Sequence, residues 1–316
     1  MFNGKKEMSG SRVLDLLQEL RRIAEASPAD PAMRSHLSRG LFSAITYVNQ
    51  EGDAAERDKL VQEMRDMAAA HPEDEVVRGN LARALFNAMN YAQDEADPER
   101  RDLALQDLQA VASENPQDEV VREHLVKGLY NALNFAKDDG DLERRDAMLK
   151  ELRTAYDGAE TSEAVRLRLA KGLFNTLSHS VDEGSVERAT GLLEELRTLA
   201  TQHEADMEVR ARFAKGLATV LHLMSRADDT ESCNTLLSEL RTIAVGNPDD
   251  SELRESLAMG LSDTLNCLGG DDDSGRRMDL LEELRDLASS HPEMEAIQAR
   301  LASGIVSELS MAGQEA

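Results

Sequence analysis

The sequence predicts an all-α protein, a right-handed αα-solenoid of seven two-helix repeats with 14 helices. Three observations predict it. The stretch Asp118 to Ala136, DEVVREHLVKGLYNALNFA, returns 44 residues earlier as Asp74 to Ala92 and 44 later as Ser162 to Ser180. A fixed period of this size marks units that bury their core against their neighbours. Within each unit apolar residues recur at helical spacing, as in Leu192, Leu193, Leu196, Leu199 and Ala200. No run of β-branched or aromatic residues alternates at period two, and aromatics are only 3% of the chain.

The length, 316 residues, would by itself suggest two globular domains. The unbroken repeat overrides that. It predicts one solenoid domain over residues 11–312, with short tails at 1–10 and 313–316.

Each repeat opens with a first helix, A. Ser9, Asp53, Asp97, Asp141, Ser185, Asp229 and Asp273 stand at its start, where a side-chain oxygen accepts a bond from a free N–H. Pro98 follows Asp97, where its missing N–H costs nothing. Pro28, Pro72, Pro116, Pro248 and Pro292 end helix A. The second helix, B, opens on Asp30, Asp74, Asp118, Ser162, Asp206 and Asp250, with Met294 in the seventh copy. Its apolar stripe in the second copy is Val77, Leu81, Leu85, Ala88, Met89 and Ala92. Acidic turns such as QDEADPE close the repeats, and none reads as a flexible linker.

Composition limits the partners. The formal charge is −25, with eight Lys against 28 Arg. Such a surface repels nucleic acid and anionic membranes, so neither is expected as a partner. It also suits work at high salt, although a GC-rich genome explains the arginine bias equally well. Cys233 and Cys267 form no C-x-x-C pair and read as half-buried thiols in a reducing compartment. MFNGKKEMSG leads into no apolar signal segment, and no run approaches the ~20 apolar residues of a membrane span, so a cytoplasmic protein is expected.

Gly140 to Ala155, GDLERRDAMLKELRTA, resembles the second helix of a tetratricopeptide repeat. The turn Asn247 to Asp250 and the Leu-x-x-Gly of helix B resemble that family too. The family's unit is shorter, at 34 residues. PQDEVVREHL also resembles the turn of a HEAT repeat, the second choice. Either resemblance implies protein binding rather than chemistry.

Three recurring positions stand out. Arg34, Arg78, Arg122, Arg166, Arg210 and Arg254 fall on the apolar side of helix B, so each needs a partner. Helix A offers an acid in every copy, including Glu63, Asp107, Glu151, Glu239 and Glu283, and a structural Arg–carboxylate ladder is expected. Glycines such as Gly128 and Gly260 stand mid-helix, where each costs about 1 kcal/mol against alanine, so a neighbouring helix must come close.

The third set is the candidate binding face. Arg39, Arg83, Lys127, Lys171 and Lys215 share one register; Asn87, Asn131 and Asn175 follow three of them four residues later, then Asn90 and Asn134, and the pattern fades with Thr219 after Lys215. This spacing lines one helical face, edged by Phe86, Tyr130 and Phe174. Asn suits the backbone of an extended peptide, and Lys and Arg suit a carboxylate. The tetratricopeptide resemblance implies that helix B lines the concave groove and clamps a peptide carboxylate there. The plainer alternative is a solvated face whose cations pair with nearby acids.

Other chemistry finds little support. Asp271 to Asp273 begin a calcium-loop spacing that ends on Glu282, but Arg276 stands where the loop needs glycine. The seven histidines form no H-x-x-x-H pair, and no nucleophile set is apparent. No cofactor, metal or catalysis is expected. The leading expectation is a scaffold or adaptor that holds a protein or peptide partner. The alternative is a structural protein that assembles end to end through its terminal repeats.

Overall fold

The computed structural model describes residues 10–50, 53–157, 162–247, 249–268 and 273–312. Ser9, Pro248, Asp271 and Asp272 lie outside the described residues. The described residues form 14 helices and no strand, alternating A and B as the period requires. None of these helices is long and apolar enough to cross a membrane.

The helices fall into two compact units, Met1–Ala155 and Tyr156–Ala316. The first holds α1 (Gly10–Glu25), α2 (Pro31–Gln50), α3 (Ala54–Ala70), α4 (Glu75–Asp94), α5 (Pro98–Glu114), α6 (Glu119–Asp138) and most of α7 (Leu142–Asp157). The second holds α8 (Glu163–Asp182), α9 (Val186–Gln202), α10 (Met207–Arg226), α11 (Thr230–Val245), α12 (Ser251–Cys267), α13 (Ser274–Ser290) and α14 (Glu295–Ala312). In the first unit the B helices pack in series, α2 on α4 and α4 on α6. In the second, α8, α10, α12 and α14 do the same.

Most expected caps form. Asp53, Asp97, Asp141 and Asp229 accept from the first-turn N–H of their A helices. Asp30, Asp74, Asp118, Asp206 and Asp250 do so for their B helices. Ser162, Ser185 and Asp273 stand at helix starts but make no side-chain cap bond. The helix-B glycines are explained by contact. A Cβ on Gly128 would lie 3.1 Å from Leu108, 3.6 Å from Leu105 and 3.9 Å from Met89 of the preceding repeat. The glycine is the notch that lets three side chains meet the backbone.

Three ladders of charged bonds run within the units. In the first, the helix-B arginine reaches forward to the cap of the next helix B. Arg34 bonds Asp74 at 3.3 Å, Arg78 bonds Asp118 at 3.0 Å, and Arg166 bonds Asp206 at 3.2 Å. This corrects the expectation that the helix-A acids would serve these arginines. Those acids belong to a second ladder between A helices. Arg21 pairs with Glu63 at 2.9 Å, Gln109 with Glu151 at 2.6 Å, Arg197 with Glu239 at 2.8 Å and Arg241 with Glu283 at 3.0 Å. Arg65 pairs with Asp107 in the same way. Each of these acids is taken by an arginine, or by Gln109, 42 residues earlier on the preceding A helix.

The third ladder was not foreseen. Arg57, fully buried in the first turn of α3, bonds Asn49 at 2.8 Å and Glu95 at 2.6 Å, and its guanidinium lies 5.7 Å from the centre of the Tyr91 ring. That bond holds the Glu95 carboxyl below the usual carboxylate range. Arg101 repeats the arrangement with Gln93, Asp139 and the Phe135 ring. Arg145, equally buried, lies 3.6 Å from Asp146, and its guanidinium makes no hydrogen bond among the described residues. In the sixth repeat the register of Arg57 and Tyr91 carries Cys233 and Cys267 instead. Both thiols are buried rather than half-buried. Burial, and then the Cys267 thiol beside it, pushes the Cys233 thiol up to about 12.

Candidate partner-binding face

The packed B helices decide which candidate side chains can meet. In the first unit Arg83, Phe86, Asn87 and Asn90 lie on α4, and Lys127, Tyr130, Asn131 and Asn134 lie on the adjoining α6. In the second, Lys171, Phe174 and Asn175 lie on α8, and Lys215 on the adjoining α10. Arg83 is exposed and the others are half-buried.

Much of this polar set is already engaged. Asn131 donates to Asn90 Oδ1 at 2.8 Å across the two repeats, and Asn90 donates to the Phe86 carbonyl at 3.0 Å. Lys127 pairs with Glu123 at 2.5 Å, one turn away on its own helix. Lys215 reaches Glu252 on α12 at 3.0 Å. Glu252 is held below the usual range, first by that Lys215 bond. The rung recurs in altered chemistry further on. His222 Nδ1 lies 3.2 Å from Asp263 Oδ2, in the registers of Asn90 and Asn87. Burial pushes the Asp263 carboxyl up.

The open part of the face lies nearer the helix starts. A hollow of about 550 Å³ forms where α2, α4 and α6 converge. Arg39, Phe42 and Ser43 line it from α2, and Glu75, Val76, Gly79, Asn80 and Arg83 from α4. Val120 of α6 closes the far side, its Cγ1 3.1 Å from where a Cβ on Gly79 would stand. The Arg83 guanidinium lies 5.3 Å from the centre of the Phe42 ring, which holds the charge over the hollow. Arg39 is exposed beside it, against one acid, Glu75. Val76 and Val120 are themselves exposed. Phe86 is turned from this hollow toward His124, edge to face at 6.1 Å. Burial pushes the His124 imidazole down, while its Nδ1 donates to the Val120 carbonyl at 2.8 Å.

Sequence reasoning missed Phe42, Val76, Gly79 and Val120 as lining residues. The available signal was the valine at matching positions 76 and 120, on the polar flank of an otherwise apolar stripe. Among the described residues no group of three or more His, Cys, Asp or Glu is placed to hold a metal ion. No protein-family model matches the chain, and no curated protein is similar to it.

Proposed function

We propose that this chain is a cytoplasmic binding scaffold or adaptor rather than an enzyme, and that it holds an acidic peptide segment or C-terminal carboxylate along its B helices. The observation that carries this reading is the hollow at Arg39 and Arg83. On a chain of net charge −25, two exposed arginines share one cavity with Phe42, Val76 and Val120 and a single acid. A guanidinium pair suits a carboxylate, and the valines suit an apolar neighbour on the same peptide. Helix pairs repeating every 44 residues, with the tetratricopeptide-like features described above, support the same reading by analogy. Lys127 and Lys215 already neutralise acids of the chain, so Arg39 and Arg83 carry most of the recognition.

The test is a panel of short acidic peptides, with free and amidated C-termini, measured by fluorescence anisotropy. Arg39→Ala combined with Arg83→Ala should weaken binding about tenfold or more, since each charge-assisted bond contributes roughly 1.5–3 kcal/mol. Added salt should weaken the parent's binding as well. Binding unchanged in the double variant, or absent from the whole panel, would overturn the reading.

A further inference from the structure

The joints between α8 and α10, α10 and α12, and α12 and α14 each use one knob and one notch. The knob is a helix-B residue of one repeat and the notch is the helix-B glycine of the next. Leu177 lies 3.5 Å from the Cβ position of Gly216, Leu221 3.4 Å from that of Gly260, and Leu265 3.0 Å from that of Gly304. These three leucines are 0% exposed. Leu309 holds the same register on α14 and is 68% exposed. Beside it Val306 is 60% exposed, although Ser262 and Ala218 in its register are each 1% exposed.

The first repeat shows the complementary half. Gly40 is the notch of α2, and the described atoms nearest its Cβ position belong to Leu17 and Leu20 of its own repeat. It is half-buried, whereas Gly128, Gly216, Gly260 and Gly304 are buried. Leu16 on α1 is 48% exposed, while Leu60 and Leu280 in its register are 1% and 4% exposed.

Charge follows the same logic. The ladder between A helices runs from arginine to acid at a separation of 42. Arg285 and Glu19 hold its arginine and acid registers on α13 and α1. Both are exposed, and neither pairs with a described residue.

We propose that the chain associates head to tail with a second copy of itself. Leu309 and Val306 of one copy seat against Gly40 and Leu16 of the next, and Arg285 of the first bridges Glu19 of the second. The new joint reproduces the interior one, with apolar contact and charge in the same register. The interface is heterologous, so each added copy presents a fresh end, and growth stops only if a ring closes.

Sedimentation velocity across a dilution series of the full chain tests this, in added salt to screen the repulsion between two copies of charge −25. The parent should gain mass with concentration beyond a dimer, or settle at a closed ring. Leu309→Asp and Leu16→Asp each block one end, and circular dichroism checks that both remain helical. Alone, each should weaken association about tenfold or more; mixed, they should form dimers and stop there, because each keeps one good end. Arg285→Glu should weaken association, and adding Glu19→Arg in the same chain should restore it. A parent that stays monomeric overturns the proposal. So does a dimer that persists in both blocked variants, which would mean a symmetric contact elsewhere. Failure of the charge exchange to restore association overturns the Arg285–Glu19 register.

Discussion

Asp118 does two jobs with its two oxygens. Oδ1 accepts from the Val121 N–H and caps α6, and Oδ2 accepts from Arg78 of the preceding repeat at 3.0 and 3.2 Å. Both side chains of the ion pair are largely shielded from water. Three substitutions separate the jobs. Asp118→Ala removes both, at about 1 kcal/mol for the cap and about 2 kcal/mol for the charge-assisted bond. Asp118→Ser keeps a capping oxygen but no carboxylate, and should cost about 2 kcal/mol. Asp118→Asn keeps one acceptor oxygen, enough for the cap, but turns an NH2 donor toward Arg78, and should cost at least as much as the serine, about 2 kcal/mol. At roughly 2–4 °C per kcal/mol for a unit of this size, the alanine variant should melt about 6–12 °C lower. Thermal melts by far-UV circular dichroism give the order, and an Arg78→Met background gives the coupling. In that background Asp118→Ser should cost almost nothing. A serine variant as stable as the parent would refute the reasoning. Arg78 would then be satisfied by the Pro72 carbonyl it also bonds.

Two further outcomes follow from single residues. Ala96 closes α4 at φ 55°, a left-handed conformation that Gly140 and Gly184 adopt at matching positions. Ala96→Gly should therefore stabilise the chain by about 0.5–1 kcal/mol, read from urea unfolding. Asp263 is raised above its ordinary value by burial, so its favourable contribution is complete at low pH and is lost as pH rises through the raised value. Asp263→Asn, the residue found at 87, 131 and 175, should raise the melting temperature at neutral pH and flatten the pH dependence between acid and neutral. A parent whose stability rises over that interval, with no gain in the variant, would show that His222 more than offsets the burial.

The helices were legible because every signal that makes them is local. Asp74 caps within three residues, and the Leu81 and Leu85 stripe needs only helical spacing. Partners were less legible because they lie across the stacking register. A helical wheel correctly turned Arg78 inward, but it could not say whether Glu63 on helix A or Asp118 on the next helix B lay closer. Arg57 was missed because a first-turn arginine in an acidic stretch reads as solvated, and nothing local reveals that Glu95 and Tyr91 fold over it. In the candidate face, residue types alone suggested free donors. The rung from Asn131 to Asn90 depends on where α6 settles against α4.

The ladders also constrain how such a chain can change length. Their rungs span 42, 40 and 38 residues, so repeats such as the second are tied to neighbours in their unit and to their own end by fixed offsets. An insertion of a few residues inside a helix would put several rungs out of phase at once. Adding or removing a whole 44-residue unit between matching positions, Asp74 and Asp118 for example, hands the bonded arginines Arg34 and Arg78 an equivalent acid and leaves their offsets intact. Whole-unit duplication is then the change of length that the bonding tolerates, and the acidic turns act as splice points of common electrostatic design.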